Sequence, residues 1–200
     1  CHAAEAYLSL RSTPRGDAHA LEAMHGIGRS LLPACASPSP PDSAREGMSR
    51  ASTSAGMAFT CSSVTLVHGM SRPLGRFGVP HGVANAQLVA SVVRFTEERA
   101  SLPLLSRLAV VRDALFPNDR RPLSLCLSSL VRELGIPSLS HPLSSHHPSS
   151  SSPLDSFLLC VPRMAEEAMR SGSPSNHPVP VSRADVERLY REVATADPLW

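Results

Sequence analysis

Apolar side chains return every three or four residues in one segment after another, and over no useful length do they alternate with polar ones. This periodicity specifies helices with one buried face and leaves no strand to pair, so the expected class is all-α. Prolines divide the helices, 19 of them in 200 residues. The sequence predicts a helix over residues 3–11, ended before Pro14. A second has Asp17 in its cap region and carries Ala20, Leu21, Met24, Ile27 and Leu31 on one face. Pro38, Pro40 and Pro41 enforce a loop, and a third helix starts near Asp42. It includes the small-residue series Ala51-Ser52-Thr53-Ser54-Ala55-Gly56, which permits close helix approach.

Further helices are expected from about 62 to 75, from His81 to about 94, over 104–116, 122–134 and about 153–171, and over 183–193. Gly135-Ile136-Pro137 stops the one before it. Ser182 caps the last, with Asp185 three positions on in the manner of a capping box. Residues 138–153 are rich in Ser, Pro and His, with too little apolar surface to offset ordering, so a flexible loop is expected there. Residues 1–200 are taken as a single helical domain.

Composition closes off several functions. Hydrophobic content of 42% with only 4% aromatic side chains suits an Ala/Leu-packed interior. All 19 basic residues are arginines, they are scattered, and the net charge is +2, so nothing favours nucleic acid as a partner. No apolar run approaches the ~18 residues needed to span a bilayer. The five cysteines form no Cys-x-x-Cys pair, which argues for the cytoplasm or another reducing compartment rather than secretion. The first residues read as the middle of a helix, so the chain is expected to be part of a longer protein.

Nine histidines invite a search for a metal site. His68 and His81 stand in small-residue, apolar surroundings, and Pro80-His81-Gly82 sets the second at the mouth of a helix. With His2 they are the candidate ligands. Imidazole nitrogens suit Fe²⁺ or Zn²⁺, and a site with open positions can take a substrate oxygen and act on it as a Lewis acid. The rivals are weaker. His141, His146 and His147 lie in Ser/Pro context without fixed geometry, and His19 and His25 fall six apart and share no helical face. The cysteines read as small apolar packing residues. Gly75 and Gly78 beside Arg76 follow no strand and make no phosphate loop.

The string His68-Gly69-Met70-Ser71-Arg72-Pro73-Leu74-Gly75, followed by Pro80-His81-Gly82-Val83-Ala84-Asn85-Ala86, closely resembles the metal-binding signature of the iron-containing (group III) alcohol dehydrogenases. Cys1-His2-Ala3-Ala4-Glu5-Ala6-Tyr7 resembles the end of that family's Asp-x-x-x-His-Ala-x-Glu-Ala-Tyr helix. Residues 164–178 and Leu189-Tyr190-Arg191-Glu192 resemble its C-terminal end. The likeness covers residues 1–100 and 160–192 well and 101–158 poorly. It implies a dehydroquinate synthase-like helical domain in which His2, His68 and His81 bind Fe²⁺ or Zn²⁺. It further implies NAD or NADP on a separate α/β domain with a Gly-Gly-Gly-Ser turn, a run that this sequence lacks. The implied activity is metal-assisted oxidation of an alcohol or reduction of an aldehyde or ketone. Phe59 matches a position that lines the family's substrate pocket, and reads equally as a core aromatic.

The sequence departs from the pattern in four places. The family's ligand aspartate would fall before Cys1, His68 and His81 stand one position closer together, Arg72 replaces a common histidine, and His177 stands where asparagine is commoner. Lacking that aspartate and a hydride-carrier site, the 200 residues alone are expected to be inactive. Two alternatives stay open: a non-catalytic helical remnant, or a sibling reaction such as that of a hydroxyacid–oxoacid transhydrogenase, a glycerol dehydrogenase or a lyase-type relative. A small-molecule alcohol or aldehyde is the expected substrate, and self-association into a homo-oligomer is left open.

Overall fold

A computed structural model of the chain describes residues 1–36, 38–137, 139 and 153–195. They form α1 (His2–Leu8), α2 (Pro14–Ala34), α3 (Asp42–Ser62), α4 (Leu66–Leu74), α5 (His81–Glu97), α6 (Leu102–Leu115), α7 (Leu123–Glu133), α8 (Pro153–Arg170) and α9 (Arg183–Thr195). Two 3₁₀ turns lie at Gly75–Phe77 and Ser173–Asn176, and among the described residues there is no strand. The segment expected to be a flexible loop lies, apart from Leu139 and Pro153, outside the described residues. Leu139 itself is fully buried in the core, where no apolar anchor was expected.

Three boundaries differ from the sequence reading, each for a local reason. Pro14 opens α2 instead of merely ending what precedes it. Its missing N–H is no loss in a first turn, and Thr13 is the cap, its Oγ1 accepting from Gly16 N–H at 3.0 Å. The helix starts earlier than Asp17 for that reason. α1 stops at Leu8 because Ser9 turns extended and Leu10 N–H donates to the Asn176 carbonyl at 2.8 Å instead of continuing the ladder. The helix expected from about 62 is broken at Ser63, whose φ of 68° lies in the left-handed region. Asn176 holds that break, its Nδ2 donating to Ser63 Oγ at 3.1 Å and to the Val64 carbonyl at 3.2 Å. The capping box of α9 forms as read: Ser182 N–H donates to Asp185 Oδ2 at 3.0 Å and Asp185 N–H to Ser182 Oγ at 3.2 Å.

α2 and α3 pair antiparallel, with Gly16 beside Ser62, Gly26 beside Ala51 and Gly47 beside Ser30. α1 lies against both, and α6 closes over α2. Arg107 of α6 ties the group together, its guanidinium 4.0 Å above the Tyr7 ring and 2.9 Å from Asp17 Oδ2. The other half packs α4 against α5 and α8, α5 against α7, and α9 against α8. Tyr190 of α9 is fully buried and donates to the Met70 carbonyl of α4 at 2.5 Å. One contiguous apolar cluster, from Ala3 and Met24 to Phe95, Phe157 and Leu189, runs through both halves.

Close approach is the requirement at Gly28. A Cβ there would stand 2.6 Å from the Leu115 carbonyl oxygen, a backbone atom that cannot rotate away. Alanine is the better helix former by about 1 kcal/mol. Even so, Gly28→Ala is expected to lose about 1–3 kcal/mol, because α2 and α6 must separate. The urea midpoint reads this, and an unchanged or higher midpoint would contradict the contact.

Candidate metal centre

The first turns of α4 and α5 carry His68 and His81, and α1 brings His2 and Glu5 to meet them. The three candidate ligands do come together. The His2 and His68 rings stack with centroids 4.5 Å apart, and His81 meets His68 edge-on at 5.3 Å. Phe59, at the end of α3, stacks on the other face of His2 at 4.5 Å and is partly buried. Among the described residues, however, no three His, Cys, Asp or Glu side chains are placed to hold one ion between them.

Glu5 is the group that orders this cluster, and it is only 5% exposed. Thr65 precedes α4 without capping it by its own side chain, so the N–H groups opening that helix need an outside acceptor. Glu5 Oε1 supplies it, accepting from Thr65 N–H at 3.2 Å, Thr65 Oγ1–H at 2.6 Å and Val67 N–H at 2.8 Å. Glu5 Oε2 accepts from His68 Nδ1. That contact puts the ring proton on Nδ1 and turns the Nε2 lone pair inward, the arrangement that a carboxylate gives to a metal-binding histidine. Burial alone would raise the Glu5 carboxyl, but the hydrogen bonds from His68 and Thr65 hold it below the usual carboxylate range.

Asn85 stands one turn after His81 on α5 and is buried. Its Nδ2 donates to His81 Nε2 at 3.1 Å and to His68 Nε2 at 3.4 Å, so the two lone pairs converge on one point. Burial, and next the neighbouring His68, lowers His2 to about 4, and the same two causes lower His81, with Arg72 adding to them. Both rings are thus neutral near pH 7, the state a ligand requires. His177 is buried behind the cluster, between Thr96 Oγ1 at 3.0 Å and Thr65 Oγ1 at 3.3 Å. Arg72 is exposed on the outer side of α4.

The sequence reading had given no role to Glu5 or Asn85. The signals were present in register: a carboxylate among the apolar Ala3, Ala6 and Tyr7, three residues after His2, and an amide four residues after His81. A charge on a buried helix face needs partners, and their identity depends on how α1 and α4 cross.

The profile of the Fe-containing alcohol dehydrogenase family, C-terminal region, matches residues 1–194, and the chain belongs to that family. It is 31% identical over 196 residues to the 1,3-propanediol dehydrogenase of Citrobacter freundii, covering 96% of this chain and 48% of that one. It is 36% identical over 138 residues to a probable alcohol dehydrogenase, EutG, of Escherichia coli K12, covering 68% and 34%. Among solved structures, a 1,3-propanediol oxidoreductase superposes with a TM-score of 0.81 at 28% identity, covering 96% and 48%. An iron-containing alcohol dehydrogenase of Thermococcus thioreducens does so at 0.82 and 25%, covering 98% and 48%. The chain spans about half the length of the curated relatives it matches most fully. No helix among the described residues is long and apolar enough to cross a membrane.

Proposed function

We propose that this chain is the metal-binding part of an alcohol dehydrogenase or aldehyde reductase that works with NAD or NADP. His2, His68 and His81 would hold Fe²⁺ or Zn²⁺. The observation that carries the reading is the convergence of His68 Nε2 and His81 Nε2, with Glu5 fixing the tautomer of the first. The donor chemistry fits a borderline divalent cation, because the Nε2 atoms of two imidazoles face one point and a third ring lies against them. When bound, such a cation polarises the oxygen of an alcohol or carbonyl substrate for hydride transfer to or from a nicotinamide.

The chain's own contributions are positional. Glu5 keeps the His68 proton on Nδ1, away from the seat. His2 and Phe59 form a stacked wall beside it, so that a small-molecule alcohol or aldehyde would rest its carbon end against Phe59. Relatives named as 1,3-propanediol dehydrogenases and a probable alcohol dehydrogenase support that substrate class.

A second reading, a helical remnant that retains only packing, draws on the lack of a three-carboxylate-or-imidazole-or-thiolate group among the described residues. Metal analysis after anaerobic loading with Fe²⁺ or Zn²⁺ separates the two. Retention of about one ion per chain, lost in His68→Ala and in His81→Ala, is expected under the metal reading. Failure to retain either ion would leave the remnant.

A further inference from the structure

We propose that Asn85 is itself a donor of this seat, its Oδ1 joining the Nε2 atoms of His68 and His81 on a divalent cation. The inference rests on the metal reading above and goes beyond it, since it adds an amide oxygen to the three histidines.

Three observations carry it. The first is distance. Ligand atoms each about 2.1 Å from one ion, at angles between octahedral and tetrahedral, stand about 3.0–3.4 Å from one another. Asn85 Nδ2 lies 3.1 Å from His81 Nε2 and 3.4 Å from His68 Nε2, so that corner of the amide stands at a ligand's spacing from both. The second is an orphaned atom. Asn85 is 6% exposed, and its Oδ1 is buried with no hydrogen-bond partner. A buried acceptor left unpaired is costly and calls for an explanation. The third is the contrast with His2, which meets His68 by ring stacking at 4.5 Å between centroids, whereas the amide of Asn85 faces the Nε2 atoms of His68 and His81 directly.

One movement reconciles all three. The Asn85 amide gives one proton to each imidazole and so faces both Nε2 atoms at once. A half-turn about Cβ–Cγ exchanges Nδ2 for Oδ1, two atoms of nearly equal size, with no shift of α5. The oxygen would then stand beside the two lone pairs as a further donor for a cation, and the NH₂ group would leave a place where a cation repels it.

Cobalt(II) gives the readout, since its visible absorption band responds to the number and type of its ligands. The full chain, Asn85→Ala, Asn85→Asp and His68→Ala are titrated with Co²⁺, with far-UV circular dichroism confirming the helices of each. Asn85→Ala is expected to bind about 10-fold more weakly and Asn85→Asp about 10-fold more tightly, the scale of single-group effects at metal sites. The band should move in both, because water replaces the amide in one and a carboxylate in the other. Should Asn85→Ala not fold, the moved band and tighter binding of Asn85→Asp carry the test. Unchanged affinity and an unmoved band in the Asn85 variants, with binding abolished in His68→Ala, would overturn the role of Asn85 and leave the histidine reading standing. No Co²⁺ uptake by the unsubstituted chain would overturn both.

Discussion

Glu5→Ala is expected to destabilise the chain by about 3–5 kcal/mol, the scale on which breaking a buried, hydrogen-bonded charge cluster is felt. The substitution strands four donors at once: Thr65 N–H, Thr65 Oγ1–H, Val67 N–H and His68 Nδ1–H. All belong to the opening of α4, which has no side-chain cap of its own. Glu5→Gln separates this structural role from the chemical one. Its amide oxygen can still accept from Thr65 and Val67, so urea unfolding should show a loss of only about 1 kcal/mol. Its NH₂ group, however, faces His68 Nδ1 as a donor and drives the ring proton to Nε2. That nitrogen then opposes the Asn85 amide and has no lone pair for a cation. Co²⁺ affinity should fall about 10–100-fold in Glu5→Gln while the fold persists. A Gln variant that binds Co²⁺ as tightly as the unsubstituted chain would show that Glu5 does not set the His68 tautomer.

Much of this was legible in the residues, and the remainder was hidden for identifiable reasons. Periodicity located the helices because each buries one face, and Ser182 with Asp185 announced the last one locally. The break at Ser63 was not legible: a serine at φ 68° is held there by Asn176, more than a hundred residues away. Pro14 is ambiguous in the sequence because a proline can stand after one helix or open the next, and the Thr13 Oγ1 cap decides for the second. Among the site residues, His68 and His81 were conspicuous by their motif and His2 by its helix. Glu5 and Asn85 lay inside the same motifs without a stated task. Their function is pairwise, and the partners, Thr65 and Val67 for one and two imidazoles for the other, become neighbours only when α1, α4 and α5 meet. Phe59 reads in the sequence as pocket wall or core aromatic, and its half-sheltered place on the His2 ring suits both.

Acid should unfold this chain early, through histidines that folding keeps neutral. His177 is 5% exposed, and burial pushes it from the ordinary 6.5 down to about 4, against a smaller upward pull from Glu5. Its neighbours show why the proton is contested. Thr96 Oγ1 already donates to the Val92 carbonyl at 2.7 Å and so accepts from His177 Nε2–H, while Thr65 Oγ1 already donates to Glu5 at 2.6 Å. A proton on Nδ1 would complete the pairing with Thr65, yet desolvation of the cation outweighs that gain. Because the folded value lies below the unfolded one, the unfolded chain takes up the proton first as pH falls. Stability is therefore full above about 6.5, declines between about 6.5 and 4, and is lost to this group by about 3 kcal/mol below that window. His2, lowered to about 4, and His81, lowered as well, add to the same decline, whereas the lowered carboxyl of Glu5 acts only below its unfolded value of 4.5. His177→Asn removes the proton site and leaves an amide able to meet Thr65 or Thr96. Urea unfolding at pH 7 and pH 4.5 should show the variant losing about 2 kcal/mol less between the two conditions than the unsubstituted chain, whatever the variant's stability at pH 7. Equal losses in both proteins would mean that His177 is protonated inside the fold, and that hydrogen bonding to the two threonines, not burial, governs its charge.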